Sequence, residues 1–242
     1  MTSIAPSIFP GGIVAAFSTR KGGVSPAPLG LNLSFKVGDD AANVRKNREL
    51  FFGPLGIPLD RLAIPGQVHG GTVRRAENPG DYPETDALVT DRPGLFLCVS
   101  VADCVPILLF DPARNVVGAV HAGWRGSAAG ITGTAVRTMV EAFGTNPGEI
   151  LASIGPSASS CCYVVGPEVA ARFDAGFRAG RNGGVYLDLK EANRAQLVLA
   201  GVPHGNIEVS PHCTISEPDL FHSHRRDGAQ SGRMMGVIGR IG

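Results

Sequence analysis

Short apolar runs separated by turn residues dominate the central third of the chain. Residues 95–101, 105–110 and 116–121 are rich in β-prone apolar side chains. Because apolar side chains occupy both faces of these predicted strands, we expect layers packed on both sides of the sheet. A further strand is predicted at 13–18, where the alternation ends in a glycine turn, and a last short strand at 235–238.

Residues typical of helix ends lie before and after these strands along the sequence. Asp39 or Asp40 can cap a helix that continues to Phe52, and helical spacing places Asn47 and Arg48 toward its inner side. Three more helices are predicted from their end signals: one opened by Gly126 and Ser127 and stopped by Gly144, one with Pro167 at its first position, and one from an Asp188/Glu191 capping box to near Gly201.

Composition narrows the class of protein. The 242 residues are 43% hydrophobic and 18% charged with a net charge of +1, which excludes a strongly basic nucleic-acid binder and a disordered chain. We expect a single domain spanning residues 1–242. No apolar stretch approaches the roughly 18 residues of a membrane span, and the first residues do not resemble a secretory signal. Five cysteines, an odd number, favour the reducing cytoplasm.

Three segments place a soft or borderline metal ligand where a predicted strand meets a turn. Two imidazoles, of His69 and His121, and the thiol of Cys104 would suit zinc with a fourth position left open. The spacings do not match a zinc finger, so the fold would have to assemble the site. The alternatives are ordinary core or turn roles, or a Cys104 nucleophile with His121 as its base. Cys161, Cys162 and Cys213 are expected to serve packing or loop structure.

Arginines that lie next to glycines form a second candidate site. Arg20 precedes Gly22 and Gly23, and Arg225 with Arg226 precedes Gly228. Guanidinium groups next to bare backbone suit an oxyanion such as phosphate, although paired arginines also occur in solvated loops with surface salt bridges. No P-loop and no G-x-G-x-x-G are present, so a standard nucleotide cradle is absent.

Several motifs, in their order along the chain, resemble those of one known family. They are Gln67-Val68-His69-Gly70, Thr85-Asp86-Ala87-Leu88-Val89, Ala102-Asp103-Cys104-Val105-Pro106, Val120-His121-Ala122-Gly123-Trp124-Arg125-Gly126, Ile154-Gly155-Pro156 with Cys161-Cys162-Tyr163, and Ser223-His224-Arg225-Arg226-Asp227-Gly228. From Arg20 to the C-terminus the chain is similar to the YfiH-like family. Its members are called purine nucleoside phosphorylases, and formerly multicopper polyphenol oxidases (laccases) or peptidoglycan editing factors.

The resemblance implies a fold, a metal site and an activity. The fold would be α+β with stacked mixed sheets flanked by helices in α/β/β/α layers, similar to cysteine-hydrolase-like proteins. The metal triad would be His69, Cys104 and His121. The implied reactions are phosphorolysis of adenosine, inosine, guanosine and methylthioadenosine to base and pentose 1-phosphate, and deamination of adenosine. Purine nucleoside and phosphate would be the partners, with no nucleic acid and no membrane.

Residue roles follow as hypotheses. The candidate catalytic residues are Cys104, His121, Asp103 and Arg20, and the candidate phosphate-binding residues are Arg20, Arg48, Arg225 and Arg226. The cytidine-deaminase signature is absent, so Asp103 or Asp86 is the candidate proton shuttle; both could instead only orient backbone and ligands. An added methyl group at Gly70 or Gly123 is expected to damage activity more than stability.

Alternative functions remain open at the sequence level. Six histidines with a single H-x-H are too few for a full multicopper site, so we expect copper to bind only adventitiously at the zinc triad. A metal-dependent amidase acting on a peptidoglycan precursor is a second enzyme class. A purine- or phosphate-binding module without turnover is a third.

Overall fold

A computed structural model describes residues 2–241, and the strands and helices alternate irregularly along them. The strands are β1 (Ser3–Ile4), β2 (Ile13–Ser18), β3 (Leu62–Pro65), β4 (Val73–Arg75), β5 (Gly80–Tyr82), β6 (Ala87–Thr90), β7 (Phe96–Val101), β8 (Val105–Asp111), β9 (Val116–Ala122), β10 (Leu151–Ile154), β11 (Val164–Val165), β12 (Arg178–Arg181), β13 (Gly184–Leu187), β14 (Ile207–Val209) and β15 (Met234–Arg240). The helices are α1 (Ala41–Phe52), α2 (Trp124–Ala128), α3 (Ile131–Phe143), α4 (Pro167–Ala170), α5 (Leu189–Leu199) and α6 (His224–Asp227).

Two six-stranded mixed sheets stack face to face. The first sheet has the order β1-β2-β15-β7-β3-β5, and the second has the order β14-β10-β8-β9-β6-β4. A small three-stranded sheet, β11-β13-β12, lies beside them. The apolar side chains between the two large sheets include Phe17 and Leu97 from the first and Leu108 and Val117 from the second. Each sheet thus buries one face against the other.

Helices cover the outer faces of both sheets. Phe51 and Phe52 of α1 pack with Phe96 and Val237 of the first sheet. On the far side, α3 and α5 pack on the second sheet in a separate apolar cluster. The α+β fold with α/β/β/α layers is therefore confirmed, and the physical reason is the one read from the sequence: strands that are apolar on both faces need cover on both faces.

Most predicted elements are confirmed to within two residues at their ends. Asp40 caps α1, because its carboxylate accepts hydrogen bonds from the amides of Ala42 and Asn43. Asn47 is fully buried on the inner side of α1, as its spacing predicts. The helices at Pro167 and after Asp188 also form, and the Asp188 carboxylate accepts from the amide of Glu191.

The single helix predicted from Gly126 to Gly144 is wrong. Two helices, α2 and α3, occupy this region, and α2 already begins at Trp124. The break lies at Gly130, which has a φ of +77°. This left-handed conformation ends one helix and sets the direction of the next, and glycine adopts it without steric cost.

No helix within residues 2–241 is both long enough and apolar enough to cross a membrane.

Candidate metal centre

Three side chains converge where the two sheets meet at one end. Cys104 precedes β8 and His121 lies near the end of β9, and the antiparallel register that pairs Val105 with Ala122 places them side by side. His69 comes from the loop after β3. The ligand atoms of the three residues lie within 4.8 Å of one another, and the imidazole rings of His69 and His121 meet edge to face with centroids 4.8 Å apart.

The loop that carries His69 is wound around one carboxylate. Asp86, fully buried, accepts hydrogen bonds from the backbone amides of Val68 (3.2 Å), His69 (2.9 Å) and Gly70 (2.8 Å). His69 itself has a φ of +60°, a left-handed conformation that is unfavourable for a residue with a side chain. The three amide bonds hold that conformation in place, so the position of this ligand is built into the loop.

Asp86 also orients the second histidine. Its Oδ1 lies 2.8 Å from Nδ1 of His121, which is nearly fully buried. Burial alone would raise the pKa of Asp86, but the hydrogen bonds from His121 and from the loop amides outweigh it and lower the pKa. The resulting carboxylate engages Nδ1 and leaves Nε2 of His121 free to bind an ion, an arrangement common around metal-ligating histidines.

The thiol and the buried imidazole favour each other's charged forms. Burial raises the pKa of Cys104, but the charge of His121 and hydrogen bonds from His121 and His69 lower it to about 6. Burial lowers the pKa of His121, whereas Cys104 and Asp86 raise it to about 9. The two residues therefore form a pair of Cys104 thiolate and protonated His121 at neutral pH, and a cation bound at Nε2 of His121 would displace that proton. Two imidazole nitrogens and one thiolate sulfur suit a borderline-soft divalent cation.

The backbone of Gly123 lies against all three ligands. A methyl group there would lie 3.0 Å from Cδ2 of His69 and 3.1 Å from Sγ of Cys104. At Gly70, by contrast, the nearest atoms would be 3.5 Å and 3.6 Å away, which is ordinary contact. The structure thus separates two glycines that the sequence interpretation treated alike.

Asp103, the residue before Cys104, is hydrogen-bonded to the C-terminal part of the chain. Its φ of +88° is left-handed, and its two carboxylate oxygens accept from Oγ1 of Thr214 (2.7 Å) and from the backbone amide of Arg225 (2.6 Å). The Arg225 guanidinium lies over the ring of Tyr163 (5.1 Å) and donates to the carbonyl of Val164 (2.6 Å). Burial, followed by the charge of Cys104, raises the pKa of Tyr163 to about 12. Arg225 and Tyr163 therefore border the site.

One cation beside the site was missed. Arg233 is half-buried; burial lowers its pKa, and the charges of Cys104 and Asp103 oppose that effect. It immediately precedes β15, whose Met234 pairs with Val101 at the end of β7. This pairing between distant segments brings Arg233 near Cys104, and the sequence carries no local signal for it.

The other predicted arginines hold the chain's own groups. Arg226 forms two hydrogen bonds with the Asp227 carboxylate (2.8 and 2.7 Å) and also donates to backbone carbonyls. Arg20 donates to the carbonyls of Pro218 and Pro28. Arg48 donates to the carbonyl of Leu33, and with Asp60 and Asp81 it lines a separate surface cavity of about 340 Å³. None of the contacts described for Arg20, Arg48 or Arg226 joins it to a ligand of the triad.

The remaining histidines are dispersed. His204 contacts Arg194, His212 contacts Glu217, His224 contacts the carbonyl of Gly228, and His222 is buried elsewhere. Within residues 2–241, the groups of three ligating side chains are the triad and a cluster of Cys161, Cys162 and Cys213. A histidine-rich multinuclear copper site is therefore not assembled by the described residues. The second cluster brings together Cys161, Cys162 and Cys213, for which the sequence predicted only packing or loop roles.

Comparisons with known proteins identify the family of this chain. A family model described as multi-copper polyphenol oxidoreductase laccase matches residues 14–241. The chain belongs to this family. A purine nucleoside phosphorylase of the family from Deinococcus radiodurans is 45% identical over 93% of this chain and 88% of its own length. Adenosine deaminase RL5, from an unknown prokaryotic organism, is 40% identical over 91% of each chain.

A solved structure in the family has the same fold. YlmD from Geobacillus stearothermophilus superposes with a TM-score of 0.94 at 38% identity, covering 100% of this chain and 97% of that one. The family resemblance read from the sequence motifs is therefore confirmed. Because the relatives are named as enzymes and match over nearly their whole length, the chain is an enzyme of this family.

Proposed function

We propose that the protein is a zinc-dependent purine nucleoside phosphorylase that also deaminates adenosine. The observation that carries the proposal is the convergence of His69, Cys104 and His121 at the junction of the two sheets, with Arg225 and Arg233 beside them. The names of the relatives support the substrate class. Adenosine, inosine, guanosine and methylthioadenosine are the proposed nucleosides.

The donor set fits zinc. Zinc takes imidazole nitrogen and thiolate sulfur in one tetrahedral shell, and three protein ligands leave a position for substrate or water. When bound, zinc supplies a Lewis-acid centre that lowers the pKa of water to about 7. His69, Cys104 and His121 would hold it, and Asp86 would fix the ring of His121.

Phosphate binding is assigned to Arg225 and Arg233. Arg233 interacts with the charge of Cys104, and the backbone amide of Arg225 donates to Asp103, the residue before Cys104. Arg225 retains guanidinium donors beyond its bond to Val164, and Arg233 retains donors beyond its bonds to the carbonyls of Ser231 and Gly232. In phosphorolysis, a phosphate oxygen bonds to the anomeric carbon as the bond to the purine nitrogen breaks, which yields free base and pentose 1-phosphate. Cations that hold the phosphate against that carbon supply orientation and charge stabilisation.

Asp103 is assigned a positioning role. Both of its oxygens already accept hydrogen bonds, from Thr214 and from the Arg225 amide. Because the carboxylate holds the backbone of Arg225 at the start of α6, it positions the Arg225 side chain. The contacts of Arg20 and Arg226 support a similar role for these two arginines in holding loops together.

The proposal is tested by metal content and by products. Protein purified without added metal should contain one zinc per chain at the triad. Adenosine should give adenine and ribose 1-phosphate only when phosphate is present, and inosine in either case, with the products resolved by chromatography. His69→Ala should lose this zinc and both reactions, whereas His204→Ala, at an exposed histidine outside the triad, should keep them. Hydrolysis of a serine-containing peptidoglycan precursor without nucleoside turnover would overturn the proposal.

A further inference from the structure

Three thiols that the proposed reactions do not use, those of Cys161, Cys162 and Cys213, lie close together. Cys161 and Cys162 follow β10, and Cys213 follows β14. Backbone pairing between Ser157 and Cys213 joins the two segments, and the amide of Thr214 donates to the carbonyl of Ser157 (3.1 Å). All three sulfur atoms lie within 4.8 Å of one another, and Sγ of Cys161 is 3.1 Å from Sγ of Cys162.

Cys213 is the buried anchor of this three-thiol cluster. Its residue is 4% exposed, and its backbone amide donates to the Glu217 carboxylate (2.8 Å). Hydrogen bonds from Ser216 and from the backbone of Ser159 also reach its sulfur atom. The folded chain therefore fixes this sulfur at the base of the cluster.

A buried lysine supplies compensating charge. Lys190 is 6% exposed, and its Nζ donates to the carbonyls of Ser210 (2.9 Å) and His212 (2.6 Å). The second of these carbonyls belongs to the residue before Cys213, so the ammonium group lies beside the cluster. Three thiolates around one divalent ion carry a net charge of −1, which this ammonium group would offset.

We propose that Cys161, Cys162 and Cys213 form a second metal site, which takes a thiolate-preferring d¹⁰ cation, Zn²⁺ or Cu⁺. An all-sulfur donor set selects this class of ion over the harder divalent cations. On binding, each sulfur that still carries a proton releases it to solvent, and no atom is oxidised or reduced. Cys161 is exposed and Cys162 half-buried, so the ion reaches the cluster directly from solvent.

The cluster is joined to the first site through the backbone. Thr214, next to Cys213, donates to Asp103, and Tyr163, next to Cys162, carries the Arg225 guanidinium over its ring. An ion bound by the three sulfurs would cross-link the two segments that carry these contacts. Its binding does not depend on the proposed nucleoside chemistry, because none of the three cysteines belongs to the triad.

Counting bound ions tests the site. Full-length reduced protein, freed of metal with a chelator under anaerobic conditions, is dialysed against buffered Zn²⁺ or buffered Cu⁺, and metal per chain is measured by mass spectrometry. Wild type should bind one more equivalent of Zn²⁺ or of Cu⁺ than the C161A/C162A/C213A variant. The ion for which this difference appears is the ion that the cluster binds. Cys98→Ala, which removes a fully buried cysteine outside both groups, should match wild type.

The Cys104→Ala variant separates this inference from the proposed function. It should lose the equivalent held by the triad and keep the one held by the three thiols. Equal stoichiometry in wild type and C161A/C162A/C213A with both ions would overturn the second site, whatever the result for Cys104→Ala. If the triple variant does not fold, judged by circular dichroism, Cys161→Ala at the exposed position should still weaken the second ion by more than about tenfold in chelator competition; unchanged affinity would again overturn it.

A spectroscopic probe counts the sulfur ligands. With Cd²⁺, sulfur-to-metal absorption reports bound thiolates, of which the three-thiol cluster would supply three and the triad one. C161A/C162A/C213A should therefore lose about three quarters of the absorption, and Cys104→Ala about one quarter. Absorption that disappears entirely in Cys104→Ala would contradict a thiolate site at the cluster.

Discussion

Unfavourable backbone conformations concentrate next to the metal-ligating atoms. Gln67, His69 and Asp103 all have positive φ values, of +50°, +60° and +88°. Each is held by side-chain hydrogen bonds: Gln67 bonds twice to the backbone of Ser100, and Asp86 holds the amide of His69. Such conformations persist only where the surrounding structure fixes them, and here they set the direction of the ligands.

Gly123→Ala should disrupt the triad, because the new methyl group would lie 3.0–3.1 Å from His69 and Cys104 and force one of them aside. We expect zinc affinity and turnover to fall at least about tenfold with little loss of stability. Gly70→Ala is the matched control, since its methyl group would meet only ordinary contacts. Metal titration and thermal melting of both variants decide this, and equal zinc affinity in the two would contradict the packing argument.

Asp103→Asn distinguishes a positioning residue from a proton shuttle. The amide keeps the shape of the side chain but weakens the bond to the Arg225 amide, so we expect a higher KM for phosphate with most of the deaminase kcat retained. Rates at saturating adenosine measure this. A fall in deaminase kcat of about 10²–10⁴-fold with unchanged KM would instead identify Asp103 as the proton shuttle.

At the scale of elements, local patterns predicted most of what formed. Apolar runs between turn residues identified β7, β8 and β9, and cap signals identified α1 and α5. The family motifs identified His69, Cys104 and His121 as one set. Local patterns could not predict which distant segments pair with each other. Examples are the bridge between Ser157 and Cys213 and the register that pairs Met234 with Val101. The three-thiol cluster and Arg233 were missed for this reason.

Asn47 shows how one helix position organises a loop. Its Oδ1 accepts from the amide of Val24 (2.8 Å), and its Nδ2 donates to Ser25 Oγ and to the carbonyls of Gly30 and Asn32. Asn47→Ala should lower the free energy of unfolding by about 3 kcal/mol, because it leaves buried backbone groups unpaired.

Chemical denaturation measures this effect. Arg45→Ala, at an exposed position of the same helix, should change stability by less than about 0.5 kcal/mol. If the two substitutions had equal effects, the role assigned to Asn47 would be wrong.

At the scale of the whole molecule, the metal centre depends on how the two sheets stack. His69 follows a strand of the first sheet, His121 belongs to the second, and Cys104 lies where the chain crosses from β7 to β8. Asp86, which precedes β6 of the second sheet, holds both the His69 loop and the His121 ring, while the apolar layer packs the two sheets against each other. A large core can keep this geometry without the metal, so metal removal should leave the fold intact.

His222 should make the stability of the whole protein depend on pH. The ring is fully buried, neither nitrogen has a protein hydrogen-bond partner, and burial together with Arg20 lowers the pKa of His222 from 6.5 to about 3, against a smaller opposing effect of Asp227. Below pH 6.5 the His222 imidazole binds a proton in the unfolded chain, whereas in the folded chain it stays neutral down to about pH 3. The free energy of unfolding therefore falls across this window, by about 3 kcal/mol between pH 7 and pH 4.

His222→Phe should remove this share of the acid sensitivity, because phenylalanine fills a similar space and binds no proton. Denaturant melts at several pH values measure it. His204→Phe, at an exposed position, should follow the wild-type curve. An unchanged pH dependence in His222→Phe would show that the buried imidazole does not resist protonation.

The position of β15 has a consequence for the order of folding. This strand lies between β2 and β7 in the middle of the first sheet, yet it is made of residues 234–240. During synthesis, β2 and β7 leave the ribosome long before the strand that joins them, so both expose unpaired edges until translation reaches this segment. A nascent chain stopped before residue 234 would thus have an open first sheet, would lack Arg233 held beside Cys104, and would be a natural client for chaperones that bind strand edges.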